Sequence, residues 1–109
     1  MTKVIIDPGI CGLPTRVSAV TDEDQQEVTL EVVSGCEAVR RMFDALGNTF
    51  DAFELCLGKP GTGELYQYAA EHFPGHCCYP VIAEIIKYAE AECGLALKKE
   101  ASIRFVEES

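Results

Sequence analysis

Basic residues are scarce in this sequence. Its 109 residues include nine Lys and Arg against eighteen Asp and Glu, which gives a formal net charge of −9. Proteins bind nucleic acids and anionic membranes mainly through Lys and Arg, whose contacts with phosphate groups release counterions. The charge therefore argues against nucleic acid and against the membrane surface as partners.

Long apolar runs and export signals are also lacking. No stretch approaches the run of about 18 apolar residues that a membrane-spanning helix needs. The first residues contain Lys3 but no apolar run before a cleavage site, so no secretory signal is recognised. We therefore expect a cytoplasmic protein. Its length, with no internal repeat and no linker, predicts a single domain over residues 1–109.

Hydrophobic periodicity predicts strands first and helices afterwards. Residues 2–6, 15–20 and 28–33 are β-branched or alternating, which is typical of strands. Apolar residues recur at helical spacing over 39–46, 65–73 and 81–89, and residues 50–57 indicate one or two further helical turns. Residues 102–106 predict a last short strand. The expected fold class is α+β, an antiparallel sheet of about three to four strands with helices packed on one face.

Cysteine is abundant, with six in the chain. Cys56 and Cys93 lie on apolar helical faces, so we expect both in the core, where a free thiol packs as a small hydrophobic group. The other four lie off these faces, in the first interstrand loop (Cys11), at the start of the first helix (Cys36) and just before the last helix (Cys77 and Cys78).

Helix starts favour thiolates. The free N–H groups and the positive end of the helix dipole lower the pKa of a thiol there. Three thiolates and the imidazole of His76 would form a four-coordinate site for zinc or an iron–sulfur cluster. The paired C-x-x-C spacing of many zinc proteins is absent from the sequence, and the alternative is that these loop cysteines share no role.

Two other features are given structural interpretations. Residues 58–63 are glycine-rich and include Lys59, but they lack the Gly-Lys-Ser/Thr order of a phosphate loop, which favours a flexible connector. His72 lies near the edge of an apolar helical face, which favours a satisfied or exposed histidine over a ligand.

Three short motifs, each with a cysteine, follow one another along the chain. They are Cys11-Gly12 after the first strand, Gly35-Cys36 at a helix start, and His76-Cys77 before the last helix. Their order and spacing resemble those of the U-type iron–sulfur cluster assembly scaffolds, the NifU/IscU-like proteins. The resemblance covers about residues 3–93 and implies that fold and a cluster site. The scaffolds have an acidic residue two positions after the first cysteine, where this chain has Leu13. The tail is similar to that of small uncharacterised proteins of anaerobic prokaryotes.

These observations favour a metal-binding or iron–sulfur cluster protein that acts as a scaffold or carrier, not as an enzyme. Cys11, Cys36 and Cys77 would be ligands, with His76 or Cys78 completing the set. A sulfur donor protein or a cluster acceptor protein would be the partner. Three alternatives stay open: a structural or regulatory zinc site on the same residues, a metal-free thiol sulfur carrier or redox protein, and an interaction module whose cysteines only pack.

Overall fold

The chain forms four strands and four helices in the part that the structure, a computed structural model, describes: residues 2–6, 13–73 and 79–107. In chain order they are β1 (Thr2–Ile6), β2 (Thr15–Thr21), β3 (Glu27–Ser34), α1 (Glu37–Leu46), β4 (Thr49–Asp51), α2 (Ala52–Cys56), α3 (Glu64–His72) and α4 (Val81–Glu92). Among the described residues, no helix is long and apolar enough to cross a bilayer.

The strands form one antiparallel sheet in the order β1-β2-β3-β4. Ile6 pairs with Thr15, and Thr15 pairs with Ser34. The end of β1, the start of β2 and the end of β3 therefore lie together, at what we call the Ser34 end of the sheet. The antiparallel sheet with its helices confirms the predicted α+β class.

One face of the sheet carries the core. Alternation along β2 and β3 buries Val17, Ala19, Val28 and Leu30. Helices α1 and α4 cover this face with their apolar sides, which contribute Val39, Met42, Phe43, Val81, Ile82, Ile85 and Ala89. The alternating apolar residues of the strands and the helically spaced apolar residues of α1 and α4 thus pack into one core, as the sequence predicts.

Two expectations about strands are wrong. The described residues 97–107 form no strand, so the strand expected over 102–106 is not formed there, and the Ile103 and Phe105 side chains are exposed. The fourth strand is instead β4, which includes the first two residues of the segment predicted as helical turns; the rest of that segment forms α2, as predicted. A strand of three residues buries one side chain, Phe50, so it offers no alternation to detect.

Leu30→Ala tests the position of the core. Leu30 is fully buried on β3, so we expect the substitution to lower the free energy of unfolding by about 2–5 kcal/mol. Val33→Ala on the same strand is the control, because Val33 is 69% exposed and its loss is expected to cost less than about 1 kcal/mol. Urea unfolding followed by circular dichroism measures both, and equal costs would contradict the assigned register.

Candidate functional site

The turn before α1 holds Cys36 at the Ser34 end of the sheet. The Gly35 N–H donates to the Pro14 carbonyl oxygen at 3.2 Å. Leu13 packs against Gly35, where an added Cβ would lie 3.4 Å from the Leu13 Cβ. Cys36 follows as the N-cap residue of α1, with extended backbone. The start of β2 and the end of β3 thus define the position of the thiol.

Two buried hydroxyls support this turn. The Oγ1 of Thr15 and the Oγ of Ser34 lie 2.7 Å apart on the otherwise apolar inner face of the sheet. The Cys36 N–H donates to the Ser34 Oγ at 3.0 Å, and the Arg40 guanidinium donates to the Ser34 carbonyl oxygen at 3.2 Å. Because a buried polar group is costly without a partner, these bonds fix the backbone on both sides of Gly35.

The environment of Cys36 lowers the pKa of its thiol. Burial of the half-exposed side chain raises this pKa, but four groups together outweigh that effect. They are the side chain of Tyr79, the backbone N–H groups of Val39 and Ala38, and the positive charge of Arg40. The two N–H groups belong to the first turn of α1, which has no intrahelical acceptors for them. Cys36 is therefore a thiol poised to ionise.

An open groove of about 430 Å³ lies beside Cys36. It is lined by Cys36, Glu37, Ala38, Arg41, Tyr68, His72 and Phe73. Aromatic rings form one wall, since the Tyr68 ring centroid lies 4.4 Å from that of His72 and 6.3 Å from that of Phe73. The Phe73 ring also contacts Tyr79, at 6.1 Å between centroids. The thiol is thus reachable from solvent along a partly apolar surface.

Of the predicted ligands, Cys36 is the one that the structure describes. Cys11, His76, Cys77 and Cys78 lie outside the described residues, so their geometry stays a prediction. Within residues 2–6, 13–73 and 79–107, no group of three or more His, Cys, Asp or Glu side chains is arranged to hold a metal ion.

The two cysteines expected in the core are there. Cys56 is 8% exposed and Cys93 3% exposed, which confirms the prediction from helical phase. Burial raises the pKa of both thiols, to about 12 for Cys56. They are therefore chemically unlike Cys36.

Sequence reasoning missed the two residues that act most directly on Cys36. Ser34 continues the inward positions of β3 that Val28 and Leu30 occupy, and a polar residue in that alternation is a signal that could have been used. Tyr79 carries no such signal, because its contact with Cys36 joins residues distant in sequence. The tyrosine was identifiable only as the residue that follows Cys78.

Comparison with known proteins places the chain in a family without assigning an activity. The sequence model of a family of unknown function, DUF6951, matches residues 2–105, so the chain belongs to that family. No curated protein and no solved structure matches the sequence.

Tyr79→Phe tests the cause of the lowered pKa at Cys36. In metal-free protein, the rate of Cys36 alkylation by iodoacetamide should rise with pH at a lower midpoint than in the urea-unfolded chain. Loss of the Tyr79 hydroxyl should move the midpoint to higher pH. Peptide mass spectrometry follows Cys36 alone. The control is Tyr88→Phe in α4, which should leave the midpoint unchanged. A midpoint unaffected by Tyr79→Phe would contradict the assignment.

The hydroxyl pair is tested by a double-mutant cycle. Ser34→Ala removes the acceptor of the Cys36 N–H and the partner of the Thr15 hydroxyl, at an expected cost of about 1–3 kcal/mol in the free energy of unfolding. Thr15→Val alone leaves the buried Ser34 hydroxyl with one bond fewer. Because the two residues are in contact, the double variant should cost less than the two single variants added together. Additive costs in urea unfolding would show that the pair is not coupled.

Proposed function

We propose that this DUF6951 protein binds a metal ion or an iron–sulfur cluster through clustered cysteines and acts as a scaffold or carrier. Cys11, Cys36 and Cys77 are the proposed thiolate ligands, and His76 or Cys78 completes the set. The protein is proposed to work in the cytoplasm, where a reducing environment keeps its thiols free. No catalytic turnover is part of the proposal.

The observation that carries the proposal is what surrounds Cys36. Both segments that hold the other candidate ligands are flanked by described residues that contact the turn at Cys36. On one side, Leu13 packs on Gly35. On the other side, the Tyr79 side chain lowers the pKa of the Cys36 thiol, and Phe73, whose ring contacts that of Tyr79, lines the same groove as Cys36. Described residues next to both segments therefore lie close to this thiol.

Covalent geometry then limits how far the other candidates lie from these contacts. Cys11 is two residues before Leu13, and Cys77 is two residues before Tyr79. Two residues of chain span at most about 7 Å, and adjacent Cα atoms lie about 3.8 Å apart. Chain segments of this length allow the proposed ligands to meet at one zinc ion or one cluster. A zinc–sulfur bond measures about 2.3 Å.

The donor chemistry of Cys36 fits such a ligand. A metal site requires deprotonated thiols, and a lowered pKa reduces the free energy needed to remove the proton. The Tyr79 side chain near the sulfur would act on a bound thiolate as an outer contact that tunes it. The groove beside Cys36 leaves the sulfur accessible, which a carrier needs in order to receive sulfur from a donor protein or hand a cluster to an acceptor protein.

One observation also favours a second function, that of a metal-free sulfur carrier or redox protein. A half-exposed thiol with a lowered pKa beside an open groove is the environment of a reactive cysteine. In this function Cys36 would carry a persulfide sulfur or form a transient disulfide without any metal.

Metal analysis of protein purified without oxygen separates these functions. Iron, zinc and acid-labile sulfide are measured per chain for the wild type and for Cys36→Ala. We expect iron with matching sulfide in the wild type and its loss in Cys36→Ala. Cys56→Ala is the matched control, because Cys56 is a buried cysteine with a raised pKa and should not contribute to the site.

Further variants identify the remaining ligands. Cys11→Ala, Cys77→Ala and Cys78→Ala should divide into those that lose the metal and those that keep it, with circular dichroism confirming the fold of each. Zinc without sulfide, lost in Cys36→Ala, would replace the cluster with the structural or regulatory zinc site. Wild-type protein with neither metal would overturn the metal proposal and leave the thiol function.

A further inference from the structure

Two thiols that the proposed site does not use lie against each other in the core. Cys56 is the last residue of α2, and Cys93 is the C-cap residue of α4. Both are buried in the same hydrophobic core cluster, where each thiol influences the pKa of the other. Since α2 and α4 pack directly together, the pair connects two helices that are distant in sequence.

Cys56 is also the member of the pair that borders an opening. A cavity of about 210 Å³ between α2, the loop after it and α4 has Cys56, Ile86 and Glu90 among its lining residues. Cys93 is not among these lining residues. A small reagent that enters this cavity therefore meets the Cys56 sulfur first, with Cys93 as its neighbour inside the core.

We infer that Cys56 and Cys93 form a redox pair, which closes to an intramolecular disulfide when a low-molecular-weight disulfide oxidises the protein. The Cys56 thiolate attacks one sulfur of the oxidant, which forms a mixed disulfide and releases one small thiol. The Cys93 thiolate then attacks the Cys56 sulfur and displaces the second small thiol. The two protein thiols lose two electrons and two protons, and the oxidant is reduced to two thiols.

The surroundings of the pair make this reaction slow at neutral pH. Burial, Cys93 and the carboxylate of Glu90 raise the pKa of Cys56 to about 12. Burial and the carboxylates of Glu92 and Asp22 raise the pKa of Cys93 against the lowering effect of its hydrogen bond with Cys56. Because the thiolate is the attacking form, the rate should climb about tenfold per pH unit between pH 7 and 9.

The inference is tested on the full, metal-free chain with bis(2-hydroxyethyl) disulfide, a disulfide small enough for the cavity, at pH 7, 8 and 9. Intact mass gives the number of bonds formed, and cleavage after glutamate places Cys56 and Cys93 on separate short peptides, residues 55–64 and 93–100. We expect these two peptides to appear linked to each other. The crosslink should raise the melting temperature by roughly 10 °C or more, because it closes a long loop of the unfolded chain.

Three variants decide the mechanism. Cys93→Ala should stop at a mixed disulfide on Cys56, Cys56→Ala should leave Cys93 unmodified, and Cys36→Ala should form the crosslink at the wild-type rate. A mixed disulfide that persists on Cys56 in the wild type, or linkage of Cys56 to another cysteine, would overturn the inference. Should either core variant fail to fold, peptide mapping of the wild type decides alone.

A further measurement separates reaction in the folded protein from reaction after unfolding. The rate of crosslinking is followed at urea concentrations below the unfolding transition. We expect a rate that changes little there, because the reagent enters through the cavity at Cys56. A rate that rises in proportion to the unfolded fraction would overturn the assignment to the native pair. Neither result depends on whether the site at Cys36 binds metal.

Discussion

The Ser34 end of the sheet depends on the hydrogen bond between the Thr15 and Ser34 hydroxyls. This bond lies at the pair of residues where β2 begins and β3 ends, so it fixes the register of both strands at that end. It also places the Ser34 Oγ where the Cys36 N–H needs an acceptor. An apolar pair of similar shape would fill the same space, but it would leave that backbone donor without a partner at the first residue of the turn. The start of α1 and the position of its cysteine therefore follow from two small polar side chains inside an apolar face.

The fold gives chemically identical side chains opposite properties. At Cys36, the Tyr79 side chain, the first N–H groups of α1 and the charge of Arg40 outweigh the effect of burial on the pKa. At Cys56, burial acts together with a neighbouring carboxylate, so both effects raise the pKa. The start of α1 presents N–H groups to the Cys36 thiolate, whereas burial, Cys93 and Glu90 all disfavour a thiolate at Cys56. The number of cysteines does not distinguish a thiol with a lowered pKa from one with a raised pKa, but the position of each cysteine in the fold does.

The sequence correctly predicts the features that depend on hydrophobic periodicity within a single segment. Alternation located β2 and β3, and helical phase placed Cys56 and Cys93 in the core, because burial on one face leaves a periodic trace in the sequence. β4 left no such trace, and the alternation of residues 102–106 did not produce a strand, since a strand also needs a partner edge. The approach of the Tyr79 side chain to Cys36 depends on how α4 packs against the sheet. No spacing within either segment encodes that contact.

The proposed site would gather several thiolates at the Ser34 end, at an electrostatic cost that the structure around Cys36 would reduce. The chain carries a net charge of −9, so each further negative charge is opposed by the whole molecule. The N–H groups of α1 and the guanidinium of Arg40 supply positive potential at Cys36. Leu13, which packs against Gly35, adds carbon atoms and no carboxylate to that side of the turn. A donor set of sulfur and imidazole without oxygen would select zinc or iron–sulfur chemistry over hard cations such as calcium or magnesium. In the proposed site, Leu13 would therefore add no oxygen ligand to the sulfur and imidazole donors.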